Sequence, residues 1–385
     1  MDHYTPIEMI EKLVSFDTVS RHSNMNLISF VQDYLKSHGV ESHLVPNEDG
    51  SKANLYATVG PNIEGGVVLS GHTDVVPVDG QPWDTDPFEL VEKDGKLYGR
   101  GTCDMKSFYA IALAMVPDML KRGLKAPIHF ALSYDEEVGC TGAPSMIKEL
   151  ADVLPRPRAV IVGEPTNMGI VNAHKGVNGF LTTVTGHEAH SSQVHRGVSA
   201  VMTAARLITY LEDMMRENEK RSDPTNGFEP HYTTIHAGMI NGGTAMNIIS
   251  RSAEFCWDVR NIPEDDPMSF KDRFDEYCQN ELLPAMRKIA PASDIVTVAT
   301  AAAPSLRPEK DSAAEELCKT LTGRNSVSAV PYGTEAGQFQ EVGFSTVVCG
   351  PGSIDQAHQP NEYIELSQVR ECEAFMAKLI EHMAQ

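Results

Sequence analysis

The sequence has few cysteines and no long apolar run. Its seven cysteines are an odd number and form no Cys-x-x-Cys pair, which argues against both a disulfide framework and a cysteine-rich zinc module. No apolar stretch is long enough to cross a bilayer, and the N-terminus lacks the basic and apolar pattern of a signal peptide. We therefore expect a cytoplasmic protein without a membrane segment.

Basic residues are also scarce. The chain has 32 Lys and Arg against 53 Asp and Glu, a net charge of -21, which opposes binding to nucleic acid or to an anionic membrane. The acidic excess supplies oxygen ligands for metal ions. With 385 residues and 41% hydrophobic content, the chain can form one large domain or two ordinary ones, each with a substantial core.

Residues 67–74 are the segment around which the chain is organised. An apolar run at 67–70, too short for a helix, predicts a buried strand that ends at His72 and Asp74. Side chains two apart on a strand share a face, so we expect the Asp74 carboxylate to accept a hydrogen bond from one ring nitrogen of His72. The other nitrogen would bind a metal. The alternative is a His and an Asp that cap a turn.

The surrounding pattern alternates helices with short strands, which predicts an α/β fold with a mainly parallel sheet. The predicted helices are 7–16, 25–38, 105–122, 143–152 and 311–322, and the predicted strands are 42–45, 54–59, 67–70, 128–134, 158–163, 327–330 and 346–349.

A different pattern interrupts this alternation. Its elements follow the order β-α-β-β-α-β, which is that of a ferredoxin-like α+β unit. They are strands 180–185, 233–240, 247–259 and 294–300 and helices 198–217 and 267–289. We therefore predict an inserted domain over 178–302 within a catalytic domain formed by 1–177 and 303–385.

Acidic residues recur at the predicted strand ends, where ligands of open α/β sheets bind. Asp104 precedes a helix, Glu136 and Glu137 follow strand 128–134, Glu164 follows strand 158–163, and His358 follows strand 346–349. Singly, Asp104 fits a helix N-cap, the acidic run a solvated loop and His358 a surface loop. Together these carboxylates would repel one another unless a cation lay among them. The set favours zinc, cobalt or manganese, and a bridging carboxylate suits two ions.

Five segments carry a resemblance to the co-catalytic zinc aminoacylase and carboxypeptidase family. They are 70–77, 99–106, 135–139, 162–165 and 357–358, and the resemblance extends over essentially the whole chain. It implies two Zn²⁺ ions, with Co²⁺ or Mn²⁺ as alternatives: His72 and Glu164 would hold one, Glu137 and His358 the other, and Asp104 would bridge them.

The resemblance also implies roles for other residues. Glu136 would be the general base, and Asp74 would assist as the partner of His72. Segment 186–192 resembles the family's dimerisation segment, so His190 would serve the partner's active site as an oxyanion donor in a homodimer formed through the inserted domain. Asn247 and Arg260 match positions that bind the substrate carboxylate. Both could instead be ordinary surface polar residues, and His187 a turn residue.

Segments 332–337 and 350–363 resemble the branch of the family that hydrolyses N2-acetyl-L-ornithine to L-ornithine and acetate, a reaction of arginine biosynthesis. Gln338 stands where the desuccinylase branch usually has an Arg, which disfavours a dicarboxylate substrate. Glu335 could pair with the ornithine ammonium or be a solvated loop acid. The alternatives are a desuccinylase, a dipeptidase, a broader N-acyl amino-acid hydrolase, and a non-catalytic dimeric binding protein. Retention of every ligand and of Glu136 argues against the last.

Overall fold

The computed structural model describes residues 3–385, which divide into two compact units. The first unit comprises 3–173, 306–329 and 334–385, and the second comprises 174–305 and 330–333. The insertion predicted from the sequence, 178–302, falls within the second unit.

The described residues form fifteen strands. These are β1 (Ser42–Pro46), β2 (Ala53–Val59), β3 (Val67–His72), β4 (Val91–Lys93), β5 (Lys96–Tyr98), β6 (Ile128–Ser133), β7 (Ala159–Pro165), β8 (Ile170–His174), β9 (Val177–Thr185), β10 (Thr234–Gly242), β11 (Ser252–Arg260), β12 (Asp294–Ala303), β13 (Val327–Val330), β14 (Thr346–Gly350) and β15 (Tyr363–Glu365).

The same residues form eleven α-helices. These are α1 (Pro6–Val14), α2 (Met25–Ser37), α3 (Lys106–Ala114), α4 (Val116–Arg122), α5 (Ala143–Val153), α6 (Ala200–Arg221), α7 (Pro267–Tyr277), α8 (Leu283–Ile289), α9 (Ala313–Thr322), α10 (Ala336–Glu341) and α11 (Leu366–Met383).

An eight-stranded sheet with the order β1-β2-β6-β3-β7-β14-β8-β13 organises the first unit. Its four central strands, from β6 to β14, are parallel, whereas β1 and β2 run antiparallel to their neighbours and β8 runs antiparallel to β14. Every residue of β3, β6 and β7 is buried, as expected for short apolar runs covered on both faces. The predicted α/β fold with a mainly parallel sheet is confirmed, and β1, β2 and β8 add antiparallel pairs to it.

The second unit contains an antiparallel sheet with the order β10-β11-β9-β12. Its chain order, strand-helix-strand-strand-helix-strand, is the predicted ferredoxin-like one. Phe180 on β9 stacks on Trp257 of β11 with ring centroids 4.4 Å apart, and Phe274 of α7 packs against Trp257 at 4.9 Å. This aromatic cluster gives the unit its own core.

Two predicted helices are divided. The prediction of one helix over 105–122 is wrong, because α3 ends at Ala114 and α4 begins at Val116 with Pro117 in its first turn. The predicted helix 267–289 is α7, a π-helical segment over Cys278–Leu282 and α8, which carries Pro284 in its first turn. Proline has no N–H and clashes with the preceding turn, so an α-helix does not continue unbroken through it.

Other differences concern the positions of strands and helices. The strand predicted from residue 247 begins at Ser252, which leaves Asn247 in the preceding loop. Helices α10 and α11 and strands β4, β5, β8 and β15 were not predicted. Among the described residues, no helix is long and apolar enough to span a membrane.

Candidate metal centre

The candidate ligands meet where the central parallel strands end. His72 is the last residue of β3, Glu164 lies at the end of the neighbouring β7, and Glu136 and Glu137 follow β6 on the other side of β3. Carboxyl ends of adjacent parallel strands lie at one edge of the sheet, so this topology gathers the side chains. His72 is 1% exposed and Glu164 5% exposed.

Asp104 lies between His72 and His358, the two histidines predicted to be ligands. Its Oδ1 is 3.1 Å from Nε2 of His72, and its Oδ2 is 3.3 Å from Nε2 of His358. One carboxylate therefore presents a different oxygen to each imidazole, which is the arrangement that a carboxylate bridging two ions needs. Asp104 is not the N-cap of α3, because that position is Met105.

Glu164 and Glu137 complete a cluster of candidate ligands on each side of Asp104. Glu164 Oε1 is 3.6 Å from His72 Nε2, and Glu137 Oε2 is 3.1 Å from His358 Nε2. The second oxygen of Glu137 is buried and has no hydrogen-bond partner among the described residues. Two imidazoles, three carboxylates and a buried carboxylate oxygen without a donor fit a pair of divalent cations.

Glu136 lies within the same cluster. Ligand atoms of His72, Glu136 and Glu164 lie within 4.8 Å of one another, as do those of His72, Asp104 and Glu137. The Glu136 carboxylate accepts a hydrogen bond from the Cys140 thiol at 3.1 Å. These distances alone therefore do not distinguish a metal-ligand role for Glu136 from a role next to the ligands.

The charges within this cluster shift the pKa values of its groups. Burial, followed by repulsion from Glu137 and Asp104, raises the pKa of Glu136 to about 8, and burial with repulsion from Asp104 raises that of Glu137 to about 7. Hydrogen bonds to Asp104 and Glu137 raise the pKa of His358 to about 10. Without metal ions, protons would therefore balance part of the negative charge that cations would otherwise neutralise.

The prediction that the Asp74 side chain binds the His72 ring is wrong. Nδ1 of His72 donates to the backbone carbonyl of Asp74 at 2.8 Å, and the nearest Asp74 carboxylate oxygen is 3.7 Å away. The carboxylate accepts instead from the backbone N–H groups of Glu136 at 3.1 Å and Glu137 at 3.3 Å. The His72 tautomer is thus set by the backbone, while Asp74 holds the segment that carries the two glutamates.

Glu335 and Gln338 contact residues on the strands and the loop that carry the candidate ligands. Glu335 is 1% exposed and accepts from the hydroxyls of Ser70 at 2.5 Å and Ser133 at 2.7 Å, so it is not a solvated loop acid. Gln338 donates through Nε2 to the backbone carbonyl of Cys140 at 2.9 Å. Gln338 therefore binds the loop that carries Glu136.

Glu362 and its partner Arg100 are two buried residues for which the sequence predicted no role. Glu362 is 1% exposed and accepts hydrogen bonds from the backbone of the loop that ends at Asp104. No spacing pattern marks such a residue, since it acts on backbone N–H groups. The only signal was an acid within an otherwise recognisable segment, 350–363.

The remaining predicted site residues lie in the second unit. His190 is exposed, with Nδ1 2.8 Å from the Ser192 hydroxyl, and it forms an isolated β-bridge with Ile248 beside Asn247. Arg260, at the end of β11, donates through Nε to Asp258 at 3.2 Å. Within this unit the structure brings His190 and Asn247 into neighbouring segments.

The sequence carries the signature of a known enzyme family. Residues 68–382 match Peptidase family M20/M25/M40. The chain belongs to this family. It is accordingly a hydrolytic enzyme, and an acetylornithine deacetylase of Myxococcus xanthus is 35% identical to it over 97% of this chain and 96% of that protein.

Solved structures show the same fold. An M20 family metallo-carboxypeptidase from Sulfolobus solfataricus superposes with a TM-score of 0.77 at 18% identity, covering 100% of both chains. A dinuclear metal-binding M20 peptidase of Bacillus subtilis superposes with a TM-score of 0.65 at 15% identity, covering 98% of this chain and 97% of that one. This family member therefore has the α/β architecture of M20 metallopeptidases.

Proposed function

We propose that this enzyme is a dinuclear metal-dependent deacetylase that hydrolyses N2-acetyl-L-ornithine to L-ornithine and acetate, a step of arginine biosynthesis. The observation that carries the metal-dependent reaction is Asp104, which presents one carboxylate oxygen to each of two histidines. The choice of substrate rests on the Myxococcus relative, an acetylornithine deacetylase that matches nearly the whole chain.

In this proposal five side chains hold two Zn²⁺ ions, with Co²⁺ or Mn²⁺ as possible replacements. His72 and Glu164 would hold one ion, Glu137 and His358 would hold the other, and Asp104 would contribute to both. Bound ions of this kind polarise an amide oxygen and lower the pKa of a water molecule. The B. subtilis structure with the same fold is described as dinuclear, which supports two ions here.

Glu136 is proposed as the general base. It removes a proton from the attacking water as the new carbon–oxygen bond forms, and returns that proton to the amide nitrogen as the carbon–nitrogen bond breaks. Two contacts keep it in position: its backbone N–H donates to Asp74, and its carboxylate accepts from the Cys140 thiol. The products are acetate and a free amine.

We place the substrate carboxylate on Asn247 and Arg260, and the oxyanion contact on the partner subunit's His190. This arrangement needs a homodimer formed through the second unit. That unit exposes apolar side chains on β10 and α6, among them Met239 at 63% and Met202 at 65%, which suit a protein surface that becomes covered.

The acyl group is proposed to be acetyl because Gln338 replaces the arginine expected of a desuccinylase. Gln338 is 6% exposed, and its amide nitrogen is already bound to the Cys140 carbonyl. A neutral side chain held in this way provides no countercharge for a second carboxylate on the acyl group.

A substrate panel tests this assignment. Purified enzyme would be assayed with N-acetylornithine, N-succinyl-diaminopimelate and N-acetylmethionine, and we expect the highest kcat/KM with N-acetylornithine. Chelator should abolish the activity and zinc or cobalt should restore it. Preference for the succinylated substrate would overturn the substrate assignment, and full activity in metal-stripped protein would overturn the mechanism.

A further inference from the structure

The loop that carries the proposed bridging ligand is held by one buried carboxylate. This loop connects β5 to α3 and ends at Asp104. Glu362 Oε1 accepts from the backbone N–H groups of Cys103 at 2.7 Å and Asp104 at 3.0 Å, and its Oε2 accepts from that of Gly101 at 3.0 Å. Both oxygens of Glu362 are therefore used to fix the backbone immediately before and at Asp104.

Glu362 is paired with a cation that is equally buried. Arg100 Nη1 donates to Glu362 Oε2 at 2.7 Å, and the two side chains are 1% and 0% exposed. Replacing a buried ion pair of this kind by apolar groups is often neutral or stabilising, so stability alone is a weak reason for such a pair. The other hydrogen bonds of the pair are more informative about its role, because they lead to the backbone of candidate metal ligands.

The pair extends to the second histidine of the candidate metal centre. Arg100 Nη2 donates to Oε1 of Gln81 at 2.6 Å, and Nε2 of Gln81 donates to the backbone carbonyl of His358 at 3.0 Å. His358 has a φ of 62°, a left-handed conformation that is unfavourable for a residue with a side chain and needs support from its surroundings. One continuous set of bonds thus joins the backbone of Asp104 to that of His358.

We infer that Glu362, Arg100 and Gln81 form a positioning relay that fixes Asp104 as the bridging ligand and His358 as a ligand of the second ion. This inference rests on the proposed dinuclear function. The relay contacts Asp104 and His358 through their main chain. It therefore fixes the backbone positions of the two ligands without contacting metal or substrate. Outer partners of metal ligands typically contribute about 10-fold to 100-fold to metal affinity.

The relay makes different predictions for its two ends. Glu362→Gln keeps the shape of the side chain, but in either orientation its NH2 group faces two N–H donors, so Asp104 should shift and both ions should bind more weakly. Gln81→Ala removes the bond to His358 and the bonds that Arg100 and Trp83 donate to Gln81 Oε1. It leaves the contacts of Glu362 with the backbone of Cys103 and Asp104 in place, so mainly one ion should bind more weakly. Gln81 is half-buried, which makes this the milder change.

The experiment is a titration of metal-free protein with Co²⁺, followed by its visible absorption and by the number of ions bound. We expect affinity for both ions to fall about 10-fold to 100-fold in Glu362→Gln, with a changed spectrum at saturation, and a loss confined to one ion in Gln81→Ala. The matched control is Glu309→Gln, since Glu309 also binds a backbone N–H, that of Thr346, and two side chains, Ser345 and Gln340, but no candidate ligand.

The outcomes separate this inference from the proposed function. Wild-type protein that binds fewer than two ions would overturn the dinuclear function, and the relay with it. If wild-type protein binds two ions, then unchanged affinities and spectrum in Glu362→Gln, or unchanged affinities in Gln81→Ala, overturn the relay alone. Should Glu362→Gln fail to fold, Gln81→Ala still decides the question.

Discussion

At the scale of single residues, the central question is which of two adjacent glutamates, Glu136 or Glu137, is the general base. Glu136 and Glu137 are adjacent, and each has a carboxylate oxygen within 4.8 Å of a ring nitrogen of His72. Only Glu137 contacts His358, at 3.1 Å, whereas Glu136 accepts from the Cys140 thiol. This difference supports a ligand role for Glu137 and a proton-transfer role for Glu136.

We predict that Glu136→Gln retains both metal ions while kcat falls by about two to four orders of magnitude, the usual contribution of general base catalysis. The amide keeps the shape of the side chain but cannot accept the proton. Metal content by elemental analysis and turnover of N-acetylornithine would be measured on the same sample. Loss of one ion would instead identify Glu136 as a ligand, and Glu137→Gln provides the comparison because it should lose metal.

A second residue-scale prediction concerns His129 on β6. The ring is buried, its Nδ1 is 2.9 Å from the Thr58 hydroxyl, and its Nε2 has no partner among the described residues. Burial lowers the pKa of His129 to about 4. The unfolded chain therefore binds an extra proton between about pH 6.5 and pH 4, so this group costs stability as the pH falls through that window.

We expect His129→Gln, which cannot take up that proton, to reduce the loss of unfolding free energy between pH 7.5 and pH 4.5 by about 2 kcal/mol. Urea unfolding curves of both proteins at several pH values would measure this. All other titratable groups are the same in both proteins, so the difference between the two profiles isolates His129. Parallel profiles would show that His129 is protonated in the folded state.

The sequence could indicate a functional role only for residues that occupy a recognisable position, such as the end of a predicted strand or the start of a predicted helix. His72, Asp104, Glu137 and Glu164 follow or precede predicted elements, and a parallel sheet brings such positions together. Glu362 was not predictable in this way, since it acts on N–H groups of a loop far away in sequence. The role of Asp74 was misjudged because strand alternation places two side chains on one face but does not decide whether side chain or carbonyl receives the hydrogen bond.

At the scale of elements, the two helices that were predicted as continuous are both divided at a proline. Pro117 and Pro284 both lie within apolar helical patterns, and both mark the first turn of a new helix in the structure. The apolar period continues across each break, so a prediction from periodicity merges the two helices. The proline itself was the available signal.

Helix α11 was overlooked although its sequence carries a clear stripe. Its buried residues recur at helical spacing, and they are Val369, Cys372, Phe375, Met376, Leu379, Ile380 and Met383. The helix packs against α3, α4 and α9. Because α3 directly follows Asp104, α11 supports the helix next to the candidate metal centre.

We predict that Phe375→Ala lowers the free energy of unfolding by about 3–5 kcal/mol, the cost of removing a large buried aromatic ring. Phe375 is 2% exposed and lies in the core of the first unit. Urea unfolding can be followed by the fluorescence of Trp83, which belongs to that unit, in a Trp257→Phe background. Glu381→Ala, on the exposed side of the same helix, is the control and should change stability by less than about 0.5 kcal/mol.

At the scale of the whole molecule, the predicted site residues divide between the two units. The five proposed ligands and Glu136 belong to the first unit, and His190, Asn247 and Arg260 belong to the second. The strand and helix order was sufficient to predict a separate inserted unit. It could not indicate whether His190 would serve its own chain or a partner, because that would depend on how two chains associate.

The last prediction therefore concerns His190 in the proposed homodimer. If the partner subunit's His190 completes each active site, His190→Ala should bind metal and dimerise normally, while kcat falls by about 10²–10³, the usual effect of losing one oxyanion donor. Metal content, sedimentation and turnover would be measured together. His187→Ala is the matched control, since His187 lies in the same exposed segment and has no proposed role in the reaction.

Mixing two inactive variants gives the decisive test. In a heterodimer of His190→Ala and Glu136→Gln, the active site of the first chain has its own Glu136 and an intact His190 from its partner, while the other site carries both defects. Random exchange of equal amounts makes half of the dimers mixed, so activity should return to about a quarter of the wild-type value. If exchange is demonstrated and the mixture remains as inactive as its parents, His190 does not act across the dimer.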